Sequence, residues 1–150
     1  MRRTCLALIL LLVGQLSIGA HSLQGTFTHQ WAWSYSGKIY GSAGFTEFTN
    51  LPDGQVTATS RGVDGSLQAI QHFFPTGTYS ATSYDAYYGV IEWTGTWKQK
   101  KTRVVVESVT PDGHRSNVLW VLRNGTIRMS GVHFYQRKRI GRGAGVFRPL

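Results

Sequence analysis

Residues 87–109 read YYGVIEWTGTWKQKKTRVVVESV, and this stretch predicts a complete β-hairpin. Ile91, Trp93 and Trp97 fall on one face of its first strand, because successive side chains of a strand point to opposite sides. Residues 99–101 are predicted to turn the chain, and 102–109 return as a valine-rich second strand. A strand with one apolar and one polar face is half-buried, so the stretch indicates an antiparallel β-protein.

The same alternation runs along most of the chain. The first strand carries five large side chains on one face: Phe27, His29, Trp31, Trp33 and Tyr35. A loop containing Gly37, Gly41 and Gly44 is predicted to follow it. Strands are then predicted at 44–49 and 55–61, on either side of the Pro-Asp-Gly turn at 52–54. Residues 66–74 fit a short helix or a strand, and the strand is favoured over the helix.

Asn124-Gly125 gives the strongest local prediction. Both central positions of a two-residue hairpin favour positive φ, which Asn and Gly tolerate. This turn sets the register of the strands on either side, with Leu122 opposite Ile127, Trp120 opposite Met129 and Val118 opposite Gly131. With about eight strands and no long helix, we predict an all-β fold that forms a single antiparallel up-and-down barrel, with a β-sandwich as the alternative.

The N-terminus has the pattern of a secretory signal peptide. Arg2 and Arg3 precede an apolar run at 6–13, and small residues follow it. We therefore predict a signal peptide at 1–22, cleaved near Ala20 to Ser22, and a secreted or periplasmic protein. The apolar run is too short for a membrane span of roughly 20 residues. The only cysteine, Cys5, precedes this run, so the mature domain is predicted to be free of disulfides and thiolate chemistry.

Positive charge is concentrated near the C-terminus. Without Arg2 and Arg3 the chain keeps 14 Lys and Arg against 7 Asp and Glu. Five of these cations lie in the last 15 residues, which contain no acid and three alternating glycines. The sequence thus predicts a barrel domain at 23–136 and a flexible basic tail at 137–150.

A glycine two residues before an aromatic, as in Gly25-Thr26-Phe27, combines with an arginine after the last predicted strand, such as Arg137 or Arg139. This arrangement resembles that of the lipocalins (calycins), although lipocalins usually have Trp in the aromatic position. The resemblance implies an eight-stranded cup that holds an apolar ligand, with the arginine packed over Phe27 at one end of the barrel.

Aromatic residues are the first candidates for function, because small-molecule cavities are often lined by them. We predict a secreted protein that binds a small apolar or aromatic ligand. The predicted cavity residues are Phe27, Trp31, Trp33, Trp93, Trp97 and Trp120. The alternative is that these rings fill the core of a barrel without a ligand.

Basic residues suggest a competing function, the binding of an anionic glycan or lipid surface. The predicted contact residues are Lys98, Lys100, Lys101 and Arg103 in one turn, with Arg137, Lys138, Arg139 and Arg142 in the tail. A solvated turn and tail would explain the same charges without a partner.

Catalysis is the third hypothesis, in the form of a barrel cyclase or isomerase using His, Tyr and Glu. A closed barrel would make the strands of His29 and His133 neighbours, so the two could share a site, although surface or hydrogen-bonded core positions explain them more simply. Glu92 and Glu107 are predicted to lie about opposite one another, as a glycosidase-like pair would, although ion pairing with lysines explains them more simply. Because no histidine pair has metal-ligand spacing, we predict no metal and no cofactor.

Overall fold

The computed structural model describes residues 22–150, so most of the predicted signal peptide lies outside the described residues. The regular structure of these residues consists of ten strands, and among them no helix is long and apolar enough to cross a membrane. The strands are β1 (Gly25–Tyr35), β2 (Lys38–Asn50), β3 (Val56–Gly62), β4 (Leu67–Phe73), β5 (Thr78–Asp85), β6 (Gly89–Lys100), β7 (Arg103–Val109), β8 (Arg115–Arg123), β9 (Thr126–Tyr135) and β10 (Lys138–Pro149).

The strands form one closed antiparallel barrel. Each pairs with its neighbours in the chain, and β1 pairs with β10 to complete the ring. Closure leaves no strand edge unpaired, which suits an all-β chain of this length. The predicted up-and-down barrel is therefore confirmed and the sandwich is wrong, but the barrel has ten strands rather than about eight.

The predicted flexible tail is wrong, because the C-terminal residues form β10. This strand pairs with β1 on one side and β9 on the other, from Lys138 to Pro149. Phe147 points inward and is 5% exposed. The glycines of β10 leave space beside the barrel wall for the bulky rings of β1. The barrel domain thus extends past 136 to the end of the chain.

The predicted loop at Gly41 and Gly44 is also absent. Both residues belong to β2, which begins directly after a two-residue turn at Ser36 and Gly37. A Cβ on Gly44 would lie 1.9 Å from the carbonyl oxygen of Arg61 on β3. Glycine at this position allows the two backbones to approach closely, so it supports the strand instead of loosening it.

The pairing of β8 with β9 that the Asn124-Gly125 turn predicts is confirmed. Asn124 and Gly125 have φ of 53° and 72°, as a two-residue hairpin requires. Leu122 pairs with Ile127, and the other two predicted pairs follow in the same register. Residues 67–73 form a strand, so the prediction of a strand for 66–74 is confirmed and the alternative of a short helix is wrong.

Candidate functional site

The interior of the barrel has two unlike halves. We call the end where β1 begins and β10 ends the closed end, and the opposite end, where β1 ends at Tyr35, the open end. Most inward side chains near the closed end are buried, including Phe27 at 7% and Phe73 at 0% exposure, while Trp97 and Met129 are partly buried. Inward side chains near the open end, among them Trp33 and Trp93, are only partly buried. The inward side chains are therefore packed more completely at the closed end than at the open end.

A cluster of aromatic rings fills the closed end. Phe73 and Trp120 have ring centroids 5.5 Å apart, and Phe48 lies 5.8 Å from Trp120. Phe27 and Phe147 complete this group through edge and tilted contacts with Phe48. Interlocked rings at these separations leave the inner space occupied by the protein's own side chains. We call these five residues the aromatic plug.

A polar layer lies above the aromatic plug, near the middle of the barrel. His29 Nδ1 lies 2.9 Å from Thr46 Oγ1, which lies 2.8 Å from Ser60 Oγ. His29 Nε2 lies 3.2 Å from Gln68 Oε1, and Gln68 Nε2 donates to Ser42 Oγ. Because Gln68 Oε1 can only accept, His29 Nε2 donates to it and Nδ1 accepts from Thr46. Burial lowers the pKa of His29, so this layer holds a neutral, fully hydrogen-bonded histidine.

A chain of hydrogen bonds runs from the interior of the open end to the surface. The Tyr35 hydroxyl lies 2.9 Å from His133 Nδ1, and His133 Nε2 lies 2.9 Å from His114 Nδ1. His114 Nε2 lies 3.5 Å from Asp112 Oδ2, and the Thr110 hydroxyl donates to the other oxygen of this carboxylate. One set of tautomers satisfies the chain: Tyr35 donates to His133, His133 to His114, and His114 to Asp112. We call Tyr35, His133, His114 and Asp112 the relay.

The surroundings of the relay keep His133 neutral. Burial, followed by the charge of neighbouring His114, lowers the pKa of His133 to about 4. Burial and the nearby Tyr88 raise the pKa of Tyr35 to about 12, so its hydroxyl stays protonated near neutral pH. Trp33 and Trp93 present their ring edges or faces to His133 at centroid distances of 6.5 and 5.9 Å.

Glycines on β9 and β10 form the wall beside the relay. A Cβ on Gly143 would lie 2.4–2.8 Å from three ring atoms of Trp33, and one on Gly131 would lie 2.6 Å from the same ring. A Cβ on Gly141 would lie 2.4 Å from the Tyr35 ring. The Trp33 and Tyr35 rings stack on each other at 6.2 Å. The glycines thus provide the space in which these two rings lie against the wall.

The predicted ligand residues are divided between the two halves. Phe27 and Trp120 belong to the aromatic plug, and Trp97 packs against Phe73 while its Nε1 donates to the Phe74 carbonyl. Trp31, Trp33 and Trp93 point inward toward the open end and are half-buried. We call the half-buried inward surface formed by these three residues, Tyr35 and His133 the cup.

The predicted polyanion-binding residues do not form one surface. Lys100, Lys101 and Arg103 lie at the closed end, where β6 turns into β7. Arg137, Lys138 and Arg139 lie at the open end, where β9 turns into β10. Lys98 and Arg142 are exposed on the outer wall. The arginine contact implied by the lipocalin resemblance is likewise absent, because Phe27 is at the closed end and both arginines are at the open end.

Two predicted pairings of chemical groups are wrong. His29 and His133 do not share a site, because β10 lies between their strands and each histidine has different partners. Glu107 pairs with Thr96 and Glu92 pairs with Thr82, so the two acids are not opposite one another. The β6–β7 turn is at residues 101–102, which shifts the register from the predicted one. In residues 22–150 no group of three or more His, Cys, Asp or Glu side chains could hold a metal ion.

Two grooves lie on the outer wall of the barrel. The larger, of about 440 Å³, crosses β7 to β10 and is lined mainly by outward-facing residues, including Val105, Leu119 and Val132. The smaller, of about 260 Å³, lies across β1 and β2 beside Phe45. Both are separate from the cup, which is inside the barrel.

Sequence comparisons identify no relatives for this chain: no family model matches it, and no curated protein shows significant similarity. Its fold is similar to that in the crystal structure of Rv2717c from M. tuberculosis. The TM-score is 0.55 with 13% sequence identity, over 85% of this chain and 92% of that chain. At this identity the similarity shows a shared fold and nothing about the site.

Proposed function

We propose that this protein binds a small apolar or aromatic ligand in the cup at the open end of the barrel. One observation carries the proposal: three inward-facing tryptophans are left half-buried at this end, whereas at the other end six inward aromatic rings are buried and Trp97 alone is partly exposed. Exposed tryptophan surface is unfavourable in water, at about 25 cal/mol per Å². A ligand that covers Trp31, Trp33 and Trp93 would remove this surface from water, and the burial would contribute favourably to the free energy of binding.

The residues of the cup favour a planar ligand with at least one hydrogen-bonding group. Trp33 and Trp93 provide ring surfaces that can stack on an aromatic ligand. Ser108 and Ser116 are paired across β7 and β8, point inward and are partly buried. Apolar walls with a few polar groups are typical of small-molecule sites. This proposal moves the ligand site away from Phe27, Trp97 and Trp120, which pack within the closed half.

Secretion and a lipocalin-like carrier role belong to the same proposal. A lipocalin-like carrier, secreted or periplasmic after loss of the N-terminal segment, would use a barrel open at one end in this way. The confirmed barrel supports that function at the level of fold. It has ten strands, so a ligand cup in it would be wider than in an eight-stranded barrel.

The proposal is tested by filling the cup. Ser116→Phe would direct a ring into the cup from β8, whereas Asn117→Phe places the same ring on the outer face one residue later. Binding of 1-anilinonaphthalene-8-sulfonate would be measured by fluorescence titration of both variants and the unmodified protein. We expect Ser116→Phe to weaken binding by tenfold or more, and Asn117→Phe to leave it unchanged. Equal binding by all three proteins would remove the cup as the site.

The relay favours a second candidate function, acid–base chemistry on the bound ligand. Tyr35 is the inner member of the relay, and Asp112 at its other end is exposed to solvent. In such a step the Tyr35 oxygen would take a proton from a ligand C–H as its own hydroxyl proton moves to His133, the His133 Nε2 proton to His114 and the His114 Nε2 proton to the exposed Asp112. Glu92 and Glu107 take no part, since both are exposed on the outer wall.

An isotope-exchange experiment separates this candidate from simple binding. A carbonyl compound that binds the cup would be incubated in deuterated buffer, and exchange at its α-carbon followed by NMR. We expect Tyr35→Phe to abolish any enzyme-dependent exchange while the compound still binds. Exchange that persists in this variant would exclude the relay, and the absence of exchange in the unmodified protein would leave binding as the function.

A further inference from the structure

Exposed apolar side chains are concentrated around the open end. Eleven large hydrophobic side chains are exposed in residues 22–150, and eight of these lie near the open end. We call these eight the open-end rim: Ile39, Tyr40, Val63, Tyr84, Tyr87, Tyr88, Val90 and Val109. Single exposed apolar residues are common on protein surfaces, but their concentration at one end of the barrel makes this end a candidate interaction site.

The most exposed aromatic residues of the rim are held in place by an ordered turn. Tyr87 and Tyr88 are 87% and 71% exposed, and their rings meet edge to face at 4.9 Å. The backbone N–H groups of both residues donate to Asp85 Oδ1 at 2.7 Å. These hydrogen bonds hold the two tyrosines in a fixed, solvent-exposed arrangement.

Positive charge lies at the same end of the barrel, next to Ile39 and Tyr40 of the rim, and the β7–β8 turn separates it from Tyr87 and Tyr88. The β9–β10 turn presents Arg137, Lys138 and Arg139, all exposed, and Lys38 follows the adjacent β1–β2 turn. Within residues 22–150 the one ion pair joins His114 and Asp112, so these four cations are available to an external anion.

Acidic side chains at the open end are engaged within their own turns. Asp64 accepts hydrogen bonds from Ser66, and Asp85 accepts them from the two tyrosine N–H groups. Asp112 accepts from Thr110 and faces His114. These three carboxylates stabilise their own loops, and none of them forms an ion pair with the basic residues of the β9–β10 turn.

We propose that the open-end rim docks on an anionic lipid membrane. Tyrosine is favoured at membrane interfaces, where its ring lies among the headgroups, and Lys and Arg at the same end of the protein are attracted to anionic lipids. Peripheral membrane binding needs both apolar insertion and this attraction. The closed end has a basic turn at Lys100 and Lys101 but few exposed apolar residues there, so the observations favour the open end. The proposal stands independently of the ligand proposed for the cup.

Vesicle flotation tests this inference directly. The protein would be mixed with phosphatidylcholine vesicles, with or without phosphatidylglycerol, and the bound fraction measured after flotation. We expect binding only when phosphatidylglycerol is present, and at least a tenfold weaker partition for Tyr87→Ser/Tyr88→Ser. The matched control is Leu51→Ser, which removes an exposed apolar residue near the closed end and is expected to leave partition unchanged.

A second pair of variants tests the charge. Arg137→Glu/Lys138→Glu should weaken partition by tenfold or more, whereas Lys100→Glu/Lys101→Glu at the closed end should have much less effect. Absent binding by the unmodified protein, or equal loss in both charge variants, would overturn the proposal. So would a concentration-dependent dimer that the tyrosine variant abolishes, since this would identify the rim as a contact between two copies of the chain. Circular dichroism of each variant shows that the barrel is retained.

Discussion

Replacing Gly143 by alanine should push the Trp33 ring away from the barrel wall. The added Cβ would lie 2.4 Å from Cε2 and 2.5 Å from Cδ2 of this ring. Carbon atoms in ordinary contact are about 3.5–4.0 Å apart, so the ring must move by about 1 Å or more. Because Trp33 stacks on Tyr35, the movement would also disturb the hydrogen bond from Tyr35 to His133.

The size of the effect follows from two opposing contributions. Overpacking of this kind costs about 1–3 kcal/mol. Gly143 does not have positive φ, so alanine fits its backbone and recovers about 0.5–1 kcal/mol by restricting the unfolded chain. We therefore expect the free energy of unfolding to fall by about 0–2.5 kcal/mol, measured by urea denaturation.

A double-mutant cycle with Trp33→Ala separates the clash from other effects. In the absence of the Trp33 ring, Gly143→Ala has nothing to displace and should be neutral or slightly stabilising. The expected coupling energy between the two substitutions is about 1–3 kcal/mol. Additive effects within about 0.5 kcal/mol would refute the proposed role of this glycine as space for the ring.

Three further predictions concern pH, turn geometry and the close approach of β6 to β7. Because the pKa of His133 is lowered to about 4, the unfolded chain takes up this proton first as the pH falls. The free energy of unfolding should thus decrease between about pH 6.5 and 4, and His133→Gln should flatten this slope in urea titrations. Asn124→Ala should lower the melting temperature through a loss of about 1–2 kcal/mol, since φ is 53° there, while Asn124→Gly should be nearly neutral. Gly95→Ala should prevent native folding, seen as a lost near-UV circular dichroism signal, because its Cβ would lie 1.9 Å from the Glu107 carbonyl oxygen.

Elements with local signals could be predicted from the sequence. The alternation in β1 and β6 and the turn at Asn124-Gly125 each depend on residues close together in the chain. These signals were sufficient for the barrel class and for the register of β8 and β9. The β6–β7 turn lacks a distinctive turn residue, and a small error in its position put Glu92 opposite Glu107 in the prediction.

The sequence alone does not predict β10, because the signal for this strand is not local. Positions 141, 143 and 145 alternate correctly for inward residues, but they carry glycine instead of large apolar side chains. In a single sequence this pattern is typical of a flexible segment. The side chains that occupy the space beside these glycines, Trp33 and Tyr35, are more than 100 residues away in the sequence.

The relay could not be predicted for a related reason. Tyr35 and His133 are 98 residues apart, and His114 is 19 residues from His133. Only the order of strands around the barrel brings β1 and β9 to either side of β10. The histidines were recognisable as candidates, but their partners depended on a strand that the sequence pattern had assigned to a tail.

The glycine wall also explains why one half of the barrel remains accessible. At the closed end, β9 and β10 direct Ile127 and Phe147 into the interior, and these side chains pack in the buried core. At the open end the corresponding inward positions are Gly131, Gly141 and Gly143, so the large rings of β1 lie against the wall instead of crossing the centre. A barrel selected only for stability would gain by filling this space, since buried apolar surface is its main stabilising contribution. Inward glycines facing inward aromatic residues therefore support the proposed cup together with the half-buried tryptophans.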